Sequence, residues 1–379
     1  MSSRGFGLGA KLWLFLTLAL AGEAVAAADY ELVAQPAWVV NEAVSRTGEV
    51  ANASDGVRYL QSDDQINLAG ASPVWYRRTS YEVEEARALS SAGQFSIGYQ
   101  PEYQKVQIHA IDVWRNGRRQ DRRSQAHMEV LRREADLEAG LIDGAHTLNV
   151  TIPDVQVGDR IEYDFSIVGF NPVFGKDYYD SYSASFSEPL GVKRVKVIYP
   201  PGLGVRWRVN RKQYRVSEGA VGPDRYVEIA ASGLDKVEGE ADVPDSFDPY
   251  GRIEISTAGD WGHIAQWAAN IYPDRFADRR LAAAMAKELR LDARDAMGSL
   301  LRAIRYVQGE IRYTGLEMGV NSHAPHSPES VVARRFGDCK DKAVLLVSLL
   351  REAGVAARPV LVNTVRRQAV ADRLPSALA

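Results

Sequence analysis

The sequence predicts an α+β protein in two unlike parts, an N-terminal antiparallel β-sandwich-like domain and a helical domain after it. Three observations carry this. From about Asp29 to Ser232 the apolar residues recur every second position, and beyond Asp260 they recur with a period near 3.6. These are the repeats of a half-buried strand and of an amphipathic helix. Between them, Glu238 to Gly251 (EGEADVPDSFDPYG) is acidic, holds two prolines and has no period. A chain of 379 residues also exceeds what one core fills, roughly 250–300 residues. The division that follows is 1–28, 29–237, a linker at 238–259, and 260–379.

Residues 1–28 read as a cleaved secretory signal. Arg4 and Lys11 supply positive charge, Leu12 to Leu20 is apolar, and Ala24-Val25-Ala26 and Ala26-Ala27-Ala28 both offer a small-x-small cleavage pattern. The apolar run is well short of the ~20 residues that span a bilayer. No later segment is long and apolar enough to span. The expected location is the bacterial periplasm or the cell exterior.

In the β part, Ile161, Tyr163, Phe165 and Ile167 alternate with Glu162, Asp164 and Ser166. Tyr182, Ala184 and Phe186 alternate with serines, and Val205, Trp207 and Val209 with Arg206, Arg208 and Asn210. Asn116-Gly117, Asp143-Gly144, Gly158-Asp159 and Pro200-Pro201-Gly202 supply the turns. Tyr81 to Ser91 is the one short helix expected here, and Asn171-Pro172 suggests a hinge between two sandwich-like halves. In the helical part Asp260 can cap a helix over Trp261–Asn270. Leu300, Ile304, Val307 and Ile311 form one helical face, with Arg302, Arg305 and Glu310 elsewhere. A polar loop from Tyr313 to Pro328 precedes a short helix at Pro328–Arg335. A strong helix then runs from Cys339 to an αL cap at Gly354, and a strand at Ala357–Asn363 follows.

Composition excludes several functions. The balance of 46 Lys+Arg against 49 Asp+Glu gives a net charge of −3. Nucleic-acid-binding domains instead carry a basic stripe. One cysteine supports neither an internal disulfide nor a Cys-rich metal centre. No cofactor is implied, and nothing indicates the oligomeric state.

The chemistry concentrates at Phe336-Gly337-Asp338-Cys339-Lys340-Asp341-Lys342-Ala343. Cys339 lies where a Gly-Asp turn enters a helix, so first-turn amides favour thiolate over thiol and could receive an oxyanion. It shares a helical stripe with Ala343, Leu346 and Leu350, which places it on the inward face. The alternative is a buried structural cysteine, which an oxidising compartment disfavours. Asp338 and Asp341 are cap and helix-dipole partners. His323 and His326 are the nearest upstream imidazoles. A metal site built from them and Asp338 would match no standard ligand set. Tyr313 and Gln308 could border the cleft, but packing explains them better.

Tyr306-Val307-Gln308, Ile311-Arg312-Tyr313, Pro325-His326-Ser327-Pro328, the Cys339 segment and Leu349-Leu350-Arg351-Glu352-Ala353-Gly354 together resemble the transglutaminase-like superfamily. Tyr99-Gln100-Pro101-Glu102-Tyr103-Gln104, Arg115-Asn116-Gly117, Pro153-Asp154-Val155-Gln156-Val157-Gly158-Asp159 and Gly169-Phe170-Asn171-Pro172 resemble the DUF3857 domain that precedes it in one bacterial branch. The resemblance implies a papain-like core, of which this chain holds the first half, and a Cys-His-Asp triad acting on peptide or protein amides. Cys339 is the catalytic residue it assigns. The family's histidine and aspartate follow the cysteine helix, but none of the six histidines here follows Cys339. The expectation is therefore a hydrolase or acyltransferase that is inactive as this stretch alone, with an exposed apolar face. The competing expectation is a non-catalytic binding or envelope-assembly module.

Overall fold

A computed structural model describes residues 30–42, 54–134, 136–240, 242–244, 246–273, 276 and 278–378. The signal segment 1–28 and its two cleavage positions lie outside the described residues. The largest element is a nine-stranded sheet. Its order is Tyr30–Leu32, Lys105–Arg115, Arg160–Val168, Val74–Val83, Val57–Asn67, Leu190–Tyr199, Asp224–Leu234 and Arg215–Val221. Arg118–Asp121 folds back onto Lys105–Arg115 across the expected Asn116-Gly117 turn, where both residues have positive φ. Most pairs are antiparallel. Val57–Asn67 and Leu190–Tyr199 pair in parallel, as do Tyr30–Leu32 and Lys105–Arg115.

Each end of this sheet carries a small three-stranded sheet on one face. Gln94–Tyr99, His146–Thr151 and His127–Arg132 form the first, and Ile97, Leu148 and Val150 pack with Ile108, Ile111 and Ile161. Tyr179–Ser183, Arg252–Ser256 and Arg206–Val209 form the second, and Tyr182, Ile253 and Ile255 pack with Ile66, Val195 and Ile229. Two sandwich-like halves therefore exist, but one continuous sheet joins them and Asn171-Pro172 is not a hinge between separate bodies. The strand Arg252–Ser256 belongs to the β part, so the expected linker at 238–259 ends before Arg252.

Two local expectations change. Tyr81 and Val83 belong to the strand Val74–Val83, because Tyr81 is paired on both sides, with Tyr59 and Ile161. Only a 3₁₀ turn at Ala86–Ala88 and the short helix Leu89–Ala92 remain of the expected helix. The strand Arg160–Val168 is buried on both faces rather than one. Its polar residues lie among ion pairs and hydrogen bonds, with Glu162 bonded to Arg78 and Asp164 to Tyr76 and Gln35.

Charge is also buried where the halves join. Arg194, 1% exposed, donates to both oxygens of Asp63, and Asp64 receives Arg77 and Lys193. Burial alone would raise the Asp64 pKa, but the two cations outweigh it and hold it at about 2. Removing one member of such a cluster strands the others.

The helical part packs around Ala286, Val307, Ile311, Val331, Leu345 and Leu349. The helices around this core are Arg280–Glu288, Ala296–Gly309, Pro328–Arg334 and Cys339–Glu352, while Trp261–Ile271 packs through Ile264 and Trp267 with Phe174 and Tyr179. Asp260 caps Trp261–Ile271 by accepting from the His263 N–H. The face of Ala296–Gly309 that is fully buried is Ser299, Ala303 and Val307, rotated from the expected one. Ser299 is tolerated there because its hydroxyl accepts from the Asp292 N–H at 2.8 Å and donates to the Asp292 carbonyl at 3.0 Å. Ser327 caps Pro328–Arg334, and Arg335 ends it in the αL region. Gly354, φ +78°, ends the cysteine helix as expected.

The expected strand at Ala357–Asn363 is absent. No neighbouring strand among the described residues supplies a ladder, and Val360 and Val362 are 78% and 74% exposed. The exposed apolar face expected from the sequence would lie on the cysteine helix; there Val344, Leu345, Leu349 and Leu350 are buried, and the exposed apolar residues here are Val360, Leu361 and Val362. No helix among the described residues is long and apolar enough to cross a membrane.

Asp64 has a depressed folded pKa, so its stabilisation is present above the unfolded value near 3.8 and is lost as pH falls through about 2. Urea melts should therefore show stability dropping by roughly 2 kcal/mol across that window. Asp64→Asn should be weaker at neutral pH and flatter below pH 4.

Candidate active site

Cys339 is the first residue of a 14-residue helix, and its side chain is exposed. The buried side of that helix is Val344, Leu345, Leu349 and Leu350, together with Lys340 and Asp341. Ala343, one turn on from the cysteine, is exposed as well. The expected inward stripe is thus corrected: Cys339 enters the helix on its open face, because Asp341 takes the inward position instead.

The segment before the cysteine is tightly constrained. A Cβ on Gly337 would lie 2.6 Å from the Asp341 Cβ, so only glycine lets the incoming strand lie against the helix. Asp338, fully buried, caps the helix by accepting the N–H groups of Lys340 and Asp341 at 3.0 and 3.1 Å. Those two amides are therefore not open to an oxyanion. The first-turn donor left free of Asp338 is the N–H of Cys339 itself.

Lys340 Nζ donates to the Asp338 carboxylate and, at 3.1 Å, to Glu317. Burial would lower the Lys340 pKa, but these two carboxylates more than offset it and keep the ammonium charged. Asp341 is more than a dipole partner. It accepts the His326 N–H at 2.7 Å and an Arg334 nitrogen at 2.7 Å, and the His326 ring nitrogen Nδ1 lies 3.2 Å from it. This ties His326 to the buried side of the helix entrance. His323 is a separate element. Its Nδ1 lies 2.9 Å from the Ser322 hydroxyl and its ring packs edge-on against Phe174 and Trp267. Burial, and then the charge of Lys340, lower its pKa to about 4, so it is neutral at pH 7. His323, His326 and Asp338 thus have separate partners and do not converge as metal ligands.

Two tyrosines flank the thiol. Tyr313 is 46% exposed, and burial, then the neighbouring Cys339 and Asp338, raise its pKa. Tyr272 is pushed up to about 12 by burial, then by Cys339, Asp338 and Asp341, and its hydroxyl donates to the His323 carbonyl at 3.1 Å. Both phenols stay protonated at neutral pH; the proton of Tyr272 is committed to the His323 carbonyl. Gln308 is exposed on its helix and makes no hydrogen bond to the site.

Comparison with known proteins decides the family. Residues 71–226 match DUF3857, a domain family of unknown function, and residues 281–374 match the transglutaminase-like superfamily. The chain carries a DUF3857 domain followed by a transglutaminase-like domain. A search of curated proteins finds no match. Among solved structures, a candidate protease from Parabacteroides distasonis aligns with a TM-score of 0.66 at 14% identity. The alignment covers 79% of this chain and 59% of that one, so this chain spans about three-fifths of the length of that relative. An M1 zinc metallopeptidase from Deinococcus radiodurans aligns at TM-score 0.29 and 10% identity, over 54% of this chain and 43% of that one. At that score it bears on neither fold nor function.

Within the transglutaminase-like domain, the sequence located Cys339 and its Asp338 cap but missed Tyr272, Glu317 and Lys340 as neighbours. Of the two readings open for Tyr313, cleft or packing, the less favoured one holds, since it neighbours the thiol. Its position after an apolar helix and directly before the polar loop was the signal available. His323 has a depressed folded pKa, so the unfolded chain takes up protons first and stability falls as pH drops from about 6.5 towards 4. Thermal melts across this window should show that slope, and His323→Gln should reduce it.

Proposed function

We propose that this protein is an exported cysteine enzyme that acts on amide bonds of peptides or proteins, with Cys339 as the nucleophile. The observation that carries the reading is an exposed thiol at the first position of a rigidly capped helix, inside a transglutaminase-like match. The Cys339 sulfur adds to the substrate carbonyl carbon and gives a tetrahedral oxyanion. As its donors we take the Cys339 N–H, which Asp338 leaves free, and the hydroxyl of Tyr313, which neighbours the sulfur. Collapse expels the amine and leaves a thioester, which water or a second amine then cleaves. The superfamily pattern puts the histidine that protonates the departing amine after the cysteine; none of the six histidines of this sequence lies there, so within these residues the amine takes its proton from water. Among the described residues no imidazole hydrogen-bonds to the sulfur. The candidate-protease description of the Parabacteroides distasonis relative is consistent with amide hydrolysis. Residues 1–28 support export to the periplasm or beyond.

The test uses the protein expressed from its own gene, with peptide amides and a fluorescent primary amine offered as acceptor. Turnover with a thioester trapped on Cys339 by intact mass is the expected result, and Cys339→Ala should remove both. Tyr313→Phe should lower kcat by about 10²-fold with KM nearly unchanged. No thioester and no turnover with either acceptor would sink the proposal and favour a binding module.

A further inference from the structure

The DUF3857 signatures do not lie on a remote face of the molecule. Three β-domain segments grip the approach loop, residues 313–323, that leads to the cysteine helix. The first is Leu141–Ile142, which pairs in parallel with Gly315–Leu316. The Ile142 carbonyl accepts the Glu317 N–H at 2.8 Å, and Glu317 is the residue that reaches Lys340 and, through it, Asp338. The second is Glu102 of the Tyr99–Gln104 signature. Gly319, φ +54°, has its missing side chain replaced by the Glu102 carboxylate, 2.3 Å from where a Cβ would be.

The third is Asn171 of the Gly169–Pro172 signature, only 6% exposed. Its amide nitrogen donates to the Ser322 hydroxyl at 2.8 Å and to the Gly319 carbonyl at 3.2 Å, and lies 3.4 Å from the Tyr103 hydroxyl. Its oxygen accepts the Val173 N–H at 3.0 Å, which sets the turn that brings Phe174 against the His323 ring. Ser322 contacts His323, and the His323 carbonyl receives Tyr272. One chain of contacts thus reaches the thiol's neighbourhood through Glu317 and Lys340, and the other through His323 and Tyr272.

We infer that the β domain is a working part of the thiol site, that its function is to hold the 313–323 loop, and that Asn171 is the positioning residue. The inference rests on the reading of Cys339 as the reacting thiol. It predicts that a β-domain side chain with no contact to Cys339 sets the reactivity of that sulfur.

Because the chain has one cysteine, iodoacetamide reports on a single sulfur. The alkylation rate of the full chain would be followed from about pH 6 to pH 9 for wild type, Asn171→Asp and Ser322→Ala. Asn171→Asp keeps the acceptor for Val173 and loses both donors. The expected result is a rate at neutral pH altered at least about threefold and a displaced pH profile in both variants. The double variant should go no further than the larger single change. Profiles that superimpose on wild type, with only the melting temperature lowered, would overturn the inference and leave Asn171 a structural residue. If Asn171→Asp does not fold, Ser322→Ala and Tyr272→Phe decide by the same criterion. Turnover by the wild-type enzyme judges the nucleophile reading separately, since the difference between profiles is read whether or not turnover is found.

Discussion

The parallel pairing of Val57–Asn67 with Leu190–Tyr199 is the constraint on which the rest of the structure depends. It joins strands from either side of Asn171 into one sheet. Because the joint is a ladder of backbone hydrogen bonds, Asn171 and Phe174 leave the sheet at a fixed place and direction. The buried ion pairs of Asp63 with Arg194 and of Asp64 with Lys193 lie across this same junction. Buried pairs of this kind are weak evidence for net stability. At this junction they penalise register slips, since a one-residue shift would turn each charge to the opposite face.

The cysteine site is organised by a carboxylate rather than by the thiol. Asp338 takes two first-turn amides and the Lys340 ammonium. That arrangement fixes where the helix begins and therefore where Cys339 stands. It also consumes donors that would otherwise attract an anion. The first-turn donor that Asp338 leaves free is the cysteine's own N–H, and Tyr313 of the preceding loop stands beside the thiol. Asp341 does a parallel service on the buried side, tying His326 and Arg334 to the same turn.

Much of the fold was legible because local rules governed it. Asp260, Ser327 and Gly354 act at helix ends as their chemistry dictates, and Asn116-Gly117 closes a hairpin. Local rules failed where a distant partner decided the outcome. Tyr81 joined a strand because two neighbours paired with it. Val360 to Val362, an apolar and mostly β-branched run, formed no strand for want of a ladder partner among the described residues.

The sequence by itself determined the two-part α+β order, the helix that begins at Cys339, and Asp338 as its cap, since each follows from periodicity or from contacts within a few residues. Only the tertiary structure decided that Cys339 faces outward, that His326 serves Asp341, and that Asn171 reaches Ser322 from 151 positions away. Those outcomes depend on which buried side chains win the inward positions. That competition is settled by long-range packing, which no local pattern in the chain encodes.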